Sequence, residues 1–426
     1  MFNTFQKKLK FFATPLIIII IFINSITNCN SLCITVKCDE ELKPANLYAR
    51  YAAMIDGESK RVLFGKDFNR QVPMASTTKI MTLIIALEYC DKNFKATTSA
   101  YAASMPDVQL NASKGEQFKI EDLYYSLMLK SHNDTAVIIA ENVAYYYLCK
   151  LKQNDDQTCN SLNSLYDLSF INNYQYNSEF IKDLTHEQSK TLVKIFTGLM
   201  NEKAKMLGCR STNFVTPNGL DGSDENGIHG TTAYELCLIM AYCINNDDFL
   251  HITQTKEFSF QSINQKKYTV TNANAFLDMY DNIISGKTGF TADAGYCYIC
   301  AYKDYEKTLI VALLACGWPS NKTYKWKDTK NLLDYGTKYY NNKKIIDATI
   351  RFYVPVKDKK NNYAIIQDTL SYSTLASEND IFTIKYTIPE IIESKDSTIE
   401  KSYICNDELI LYESQPIITD IIKMKP

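Results

Sequence analysis

The chain has 426 residues, 46% of them hydrophobic, which allows one large domain plus a small one and excludes a disordered or fibrous protein. Its 46 basic and 48 acidic residues leave a net charge of -2, which gives no electrostatic footprint for nucleic acid. Along the chain, Lys7, Lys8 and Lys10 precede an apolar run from Phe11 to Ile23. A basic start and a short apolar stretch read as a secretory signal or N-terminal anchor over 1–32, since a spanning helix needs about 20 apolar residues. Cys29 is a candidate lipid-attachment cysteine, although Asn28 before it is a poor small residue. The expected location is therefore extracytoplasmic, with membrane association possible only through the N-terminus.

Tyr51–Ile55, a Gly57-Glu58-Ser59-Lys60 turn and Arg61–Phe64 read as a hairpin. From Thr77 to Cys90 the chain is apolar nearly all round, the mark of a helix buried at a domain centre. Glu121–Met128 and Asp134–Tyr147 read as helices flanking a polar break, Lys130-Ser131-His132-Asn133. The span 145–189, rich in Asn and Tyr, reads as an insertion. Helices are expected again over Leu192–Leu207 and Thr232–Ile244, with a turn-rich stretch TPNGLDGSDENG between them. A hairpin over Phe258–Val270 follows, then strands Ile283–Gly289, Tyr296–Tyr302 and Thr308–Cys316, and a helix Asp328–Tyr340. After about Ile346 short alternating strands suggest a small all-β domain over 346–426, leaving 33–345 as the main domain.

Of the 13 cysteines, many sit in apolar runs and read as small buried hydrophobes; the odd count argues against a complete disulfide framework. Cys297-x-x-Cys300 has no second pair at zinc spacing, and in a strand its two side chains face opposite sides. The four histidines, His132, His186, His229 and His251, show no metal spacing. No metal and no cofactor are expected.

Three short motifs carry chemistry: Ser76-Thr77-Thr78-Lys79, Ser131-His132-Asn133 and Lys287-Thr288-Gly289. Ser-x-x-Lys at a helix start puts hydroxyl and amine on one face, one turn apart. A serine needs a neighbour to take its proton, and a lysine can do so when burial or nearby positive charge keeps it partly neutral. Taken alone, the serine could equally be a helix cap, Ser131 a solvated interhelical turn, and Lys287 an exposed residue at a strand end. Their order, and their placement on helix, interhelical break and strand, point to one site. That site would take a reactant holding an acyl carbon and a free carboxylate at a fixed distance. No Gly-x-Ser-x-Gly frames Ser76, which disfavours a Ser–His–Asp triad.

The blocks MASTTKIMTLIIALE, KSHNDTAVIIAENVA, MNEKAKMLGCRSTNFVTPNGLDG, HGTTAYEL and SGKTGFTADAGYC resemble the serine D-alanyl-D-alanine carboxypeptidases, the low-molecular-weight penicillin-binding proteins, over about Ala49–Tyr339. The resemblance implies an α/β (α+β) β-lactamase/transpeptidase-like domain, an antiparallel sheet flanked by helices, followed by a small β domain. It implies that Ser76 forms the acyl-enzyme, Lys79 is the general base, and Ser131 and Asn133 complete the proton network. Lys287 and Thr288 would bind the terminal carboxylate of a peptidoglycan stem peptide. Gly289 would let it lie close, and the backbone N–H groups of Ser76 and Phe290 would form the oxyanion hole. β-Lactam antibiotics would be covalent inhibitors. His132 stands where the family often has Gly, and a ring there would narrow the site. One alternative is a class A-like β-lactamase, disfavoured because no Glu-x-x-x-Asn lies between Ser131 and Lys287. A catalytically idle wall-binding protein of the same fold is the other.

Overall fold

The structure is a computed structural model that describes residues 17–22, 31–36, 46–171, 174–357, 362–392, 398–416 and 420–423. Internal contacts divide the chain into two compact units. One is Ala45–Asp334; the other joins Tyr335–Pro426 to the N-terminal segment.

The larger unit is built on β1 (Tyr51–Asp56), β2 (Val62–Lys66), α1 (Lys79–Tyr89), α2 (Asn133–Gln153), α3 (His186–Met206), α4 (Ala233–Cys243), β3 (Ile283–Thr291), β4 (Gly295–Lys303), β5 (Thr308–Leu314) and α5 (Tyr324–Tyr339). The five strands form one antiparallel sheet in the order β3-β4-β5-β1-β2, so β3 is an edge. Strand alternation sorts the sheet's side chains. Ala53, Ile55, Ile299, Ala301, Ile310 and Ala312 join the large core formed with α1 to α4. On the opposite side Tyr298 meets Trp326 of α5 and Phe276, with ring centroids 4.8 and 6.0 Å away. Both faces are covered, as the resemblance implied.

In α1 every residue from Lys79 to Ala86 is buried. A helix without a solvent face needs helices on all sides, and α1 touches α2, α3 and α4. The expected helix over Glu121–Met128 is shorter: Ile120–Tyr125 is helical, then Ser126–Lys130 widens into a π turn. The span 145–189 is more ordered than its composition suggests. α2 continues to Gln153, a second helix covers Gln157–Leu165, and a 3₁₀ turn covers Ser178–Asp183. Its aromatic residues explain this. Tyr145, Tyr176 and Phe180 pack together with centroids 4.8 to 5.2 Å apart. α3 opens at His186 behind a capping box of Thr185 and Gln188.

The ten cysteines from Cys90 to Cys405 are buried and free. Among the described residues no cluster of His, Cys, Asp or Glu is placed to hold a metal ion.

The smaller unit is all-β. One sheet runs Ile17–Phe22, Asn341–Pro355, Asn362–Ala376, Asp420–Lys423; the other runs Ser31–Val36, Phe382–Thr387, Thr398–Cys405, Glu408–Pro416. Ile350, Phe352 and Ile366 of the first sheet share a core with Tyr386, Ile399 and Tyr403 of the second. The strands Asn341–Pro355 and Asn362–Ala376 have 15 residues each, so the expectation of short strands from about Ile346 is corrected. The polar start of the first, Asn341-Asn342-Lys343-Lys344, and Asp347 break up its apolar pattern. Ile17–Phe22, part of the run read as an export signal, pairs in parallel with Ala348–Tyr353, and Ser31–Val36 pairs with Phe382–Thr387. Residues 1–16 lie outside the described residues. No described helix is long and apolar enough to cross a membrane.

Candidate active site

Ser76 sits in a 3₁₀ turn, Ala75–Thr78, that leads into α1. Ala75 before it holds φ 48, an unfavourable region for a residue with a Cβ, so the turn is strained at the serine. From Met74 to Ala86 only Ser76 is not buried. The turn therefore delivers one hydroxyl to solvent from an otherwise closed helix.

Lys79, one turn on, is fully buried. Its Nζ lies 2.9 Å from Ser76 Oγ, 2.9 Å from Asn133 Oδ1 and 2.6 Å from the Asn218 carbonyl. The last two partners can only accept. A neutral amine has two N–H donors and one free electron pair, so the acceptors take the donors and the pair faces the Ser76 hydroxyl. Burial, reinforced by the Lys287 cation and opposed by Asp134, pushes the Lys79 pKa well below the usual lysine range.

Asn133 opens α2 and is fixed on its other side, where its Nδ2 donates to the Pro106 and Asp107 carbonyls at 3.1 Å each. Ser131 caps the π turn at φ 66, a left-handed conformation that turns the chain sharply into α2. Its Oγ accepts from Lys287 Nζ at 2.8 Å. Lys287 also donates to the Thr288 carbonyl at 2.8 Å; it is 2% exposed, and burial lowers its pKa to about 7.

The edge strand β3 presents its backbone to the same place. Phe290 lies opposite Tyr296 on β4, but the Tyr296 N–H donates to Gly317 and its carbonyl accepts from Cys316. The Phe290/Tyr296 pair is therefore of the type without mutual hydrogen bonds, and the Phe290 N–H points off the free edge. Two residues earlier, Thr288 has the same parity. The Phe290 ring is 40% exposed and packs on Tyr296 at 4.6 Å.

Gly289 is required by contact. A Cβ there would stand 2.8 Å from Ser76 N, 3.0 Å from Ala75 Cβ and 3.1 Å from Thr77 N. Strand β3 thus lies directly against the N–H of the Ser76 turn. Gly289→Ala is expected to fold but to acylate at least about 100-fold more slowly, the scale of losing one oxyanion donor. Stopped-flow with a fluorescent penicillin measures this, and a rate within threefold of wild type would refute it.

All eight residues expected at the site are thus assembled at one place. The reading of His132 is corrected. Its ring is buried and its Nδ1 is 2.8 Å from Ser126 Oγ, which in turn bonds Thr135 Oγ1. Burial, with Lys79 and the other cations, lowers its pKa to about 4, so the ring is a neutral structural tie rather than a wall of the site. Sequence reasoning missed Asn218 and Gly219. The Asn218 carbonyl accepts from Lys79 and lies 3.3 Å from Ser76 Oγ. Gly219, at φ 87, would put a Cβ 2.1 Å from the Ala75 carbonyl. The Asn-Gly pair inside TPNGLDG was the available signal.

An antiparallel sheet flanked by helices, with a Ser–Lys pair at the head of a buried helix and a Lys-Thr-Gly edge strand, defines a serine acyl-transfer enzyme of the penicillin-recognising fold class. Solved structures bear out the fold. The Streptomyces K15 DD-transpeptidase superposes with a TM-score of 0.54 at 23% identity, covering 70% of this chain and 99% of that one. A D-alanyl-D-alanine carboxypeptidase of Mycobacterium tuberculosis H37Rv gives 0.55 at 23%, covering 71% and 96%. The family model described as D-alanyl-D-alanine carboxypeptidase matches residues 38–145 and 191–316, and the chain belongs to that family. Among curated relatives, D-alanyl-D-alanine carboxypeptidase DacF of Bacillus subtilis is 25% identical over 328 residues, 76% of this chain and 70% of that protein. DacB2 of Mycobacterium tuberculosis is 27% identical over 286 residues, 66% and 79%. Residues 146–190 lie outside the family match.

Proposed function

We propose that this chain removes the terminal D-alanine from peptidoglycan stem pentapeptides through an acyl-enzyme on Ser76, with Lys79 as the base. The observation that carries the reading is the Lys79 amine, held by two pure acceptors so that its electron pair meets the Ser76 hydroxyl. Lys79 takes the Ser76 proton as Oγ attacks the carbonyl carbon of the penultimate D-alanine. The Ser76 and Phe290 N–H groups bind the oxygen that becomes negative. Ser131 passes a proton to the leaving D-alanine amine, and water then cleaves the ester. Lys287 and Thr288 hold the substrate's carboxylate, and Asn133 keeps Lys79 in place. A β-lactam presents a reactive carbonyl and a carboxylate at similar spacing, so penicillin acylates the same oxygen.

Export rests on the N-terminal sequence, basic then apolar, and on the family's work in the cell wall; attachment to the membrane's outer face would run through that segment. A class A-like β-lactamase finds no support in the family match or the relatives.

Incubation with benzylpenicillin should add one drug mass to the protein, located on the Ser76 peptide. Incubation with a stem pentapeptide should release D-alanine, and Ser76→Ala should do neither. Rapid turnover of the drug with no trapped adduct would instead indicate a β-lactamase, and bound but uncleaved pentapeptide an idle wall-binding protein.

A further inference from the structure

His229 is buried, 1% exposed, and lies behind the site rather than in it. Its Nδ1 accepts from the Val215 N–H at 3.0 Å and the Thr216 N–H at 3.3 Å. Its Nε2 lies 2.8 Å from Thr78 Oγ1, the residue just before Lys79. The single Thr78 hydroxyl proton goes to the Ala75 carbonyl at 2.8 Å. Nε2 must then be the donor, and Nδ1 must be bare to receive two N–H groups. Protonation would set three N–H groups against one another. Burial and Lys79, opposed by Asp224, hold the pKa down to about 4, which agrees with this tautomer.

The loop that His229 grips continues straight into the site. The Pro217 carbonyl accepts from Thr82 Oγ1 at 2.6 Å, the Asn218 carbonyl accepts from Lys79, and Gly219 presses on the Ala75–Ser76 peptide. Thr78 and Thr82 are one turn apart, and Thr82 is also one turn from Lys79. Residues 215–219 are thus laid along the start of α1, with His229 holding one end.

We propose that His229 is a positioning residue for the acylation step. By clamping Val215 and Thr216 to Thr78, it sets the Asn218 carbonyl against Lys79 and so keeps the free electron pair of that amine on Ser76. The inference rests on the reading of Lys79 as the base. If the carbonyl drifts, the amine retains one acceptor, Asn133, and can rotate away from the hydroxyl.

Two substitutions separate the ends of the clamp. In His229→Asn, Oδ1 falls near the place of Nδ1 and can still accept from the loop. In His229→Gln, the amide nitrogen reaches towards Thr78 and the loop N–H groups lose their acceptor. Fluorescent penicillin acylation, resolved into a binding constant and a first-order acylation rate, reads the effect. Each variant breaks the clamp, the Asn variant at Thr78 and the Gln variant at the loop, so both should acylate about 50-fold or more slowly. The binding constant should stay within about threefold in both, because the carboxylate grip is untouched. Either variant with the wild-type acylation rate would overturn the proposal, leaving Thr82 as the sufficient anchor. So would parallel loss of binding and rate in both variants, which marks packing alone. Should neither variant fold, Thr78→Val keeps the imidazole but removes its partner, and the same selective slowing is expected; an unchanged rate would again overturn the idea. Failure of wild type itself to be acylated on Ser76 would instead refute the proposed function.

Discussion

Lys79→Met should slow acylation of Ser76 by penicillin about 10³- to 10⁴-fold, with the protein still folded and the binding constant little changed. General-base assistance is worth roughly 10²–10⁴ in rate, and here the base also holds the hydroxyl in line. Methionine matches the lysine in length and costs no desolvation, but it leaves Asn133 Oδ1 and the Asn218 carbonyl without their donor. The variant's stability therefore reflects two opposing changes, and the rate is the clean readout. Lys79→Arg sharpens the test. Arginine keeps the positive charge at any accessible pH, so it cannot serve as a base. If Lys79 worked only by attracting the developing oxyanion, arginine would restore much of the rate. An Arg variant acylating within tenfold of wild type would remove Lys79 from the proton path. In wild type the rate should rise with pH as Lys79 loses its proton, at a pH well below the usual lysine range, because burial and Lys287 both favour the neutral amine.

The parts of this site that announce themselves in sequence are those whose chemistry needs a particular side chain. Ser76 with Lys79, Ser131 with Asn133, and Lys287 fall at three distant places in the chain, yet their types and order suffice to predict one cleft. Gly289 is legible for a related reason: only a residue without a Cβ tolerates Ser76 N at that distance. Contributions from the backbone leave no such mark. Any residue has a carbonyl, so nothing about Asn218 says that its oxygen holds Lys79. In sequence His229 is only a histidine without metal partners. Its role comes from two backbone N–H groups and a threonine that meet only after folding. His132 misleads because sequence gives its position in the motif but not the Ser126 hydroxyl that engages its ring.

The same distinction governs the fold. Strands β3, β4 and β5 and helices α1 and α4 are legible because burial on one or both faces dictates their apolar patterns. The π turn at Ser126–Lys130 is not, since its sequence suits an ordinary helix. It ends at Ser131, which is left-handed and accepts from Lys287, features that appear only after folding. The helical 145–189 span is hidden for the opposite reason. Its polar composition masks tyrosines and phenylalanines that pack on α2.

Lys287→Met should raise the melting temperature while crippling the enzyme. Lys287 is a buried amine with no carboxylate among its hydrogen-bond partners, which are a serine hydroxyl and a carbonyl. Its pKa in the folded protein is about 7, against 10.5 for the unfolded chain. Between those values the unfolded state binds the extra proton, so this residue makes stability rise with pH from about 7 to about 10.5. Near pH 7 it is a net cost, because folding must desolvate the ammonium or strip its proton. Every tenfold loss of proton affinity on folding corresponds to about 1.4 kcal/mol, and the two lost hydrogen bonds offset part of the gain on removing the amine. A net stabilisation of about 2 kcal/mol, or roughly 5 °C, is expected at pH 7. It should change sign by pH 10.5, where little of the proton-linked cost remains and the lost hydrogen bonds outweigh it, and calorimetry at both pH values checks it. A Met variant less stable than wild type at pH 7 would mean that the hydrogen bonds outweigh the burial. Catalysis explains why the chain keeps such a residue. On the proposed role of Lys287, a substrate or drug carboxylate supplies the missing counter-charge, and the free energy withheld from folding is released on binding, at the reacting centre. The Met variant should accordingly lose about 10²- to 10³-fold in acylation efficiency, mostly in binding. For wild type, kcat/KM, which reports the free enzyme, should fall above about pH 7 as Lys287 gives up its proton.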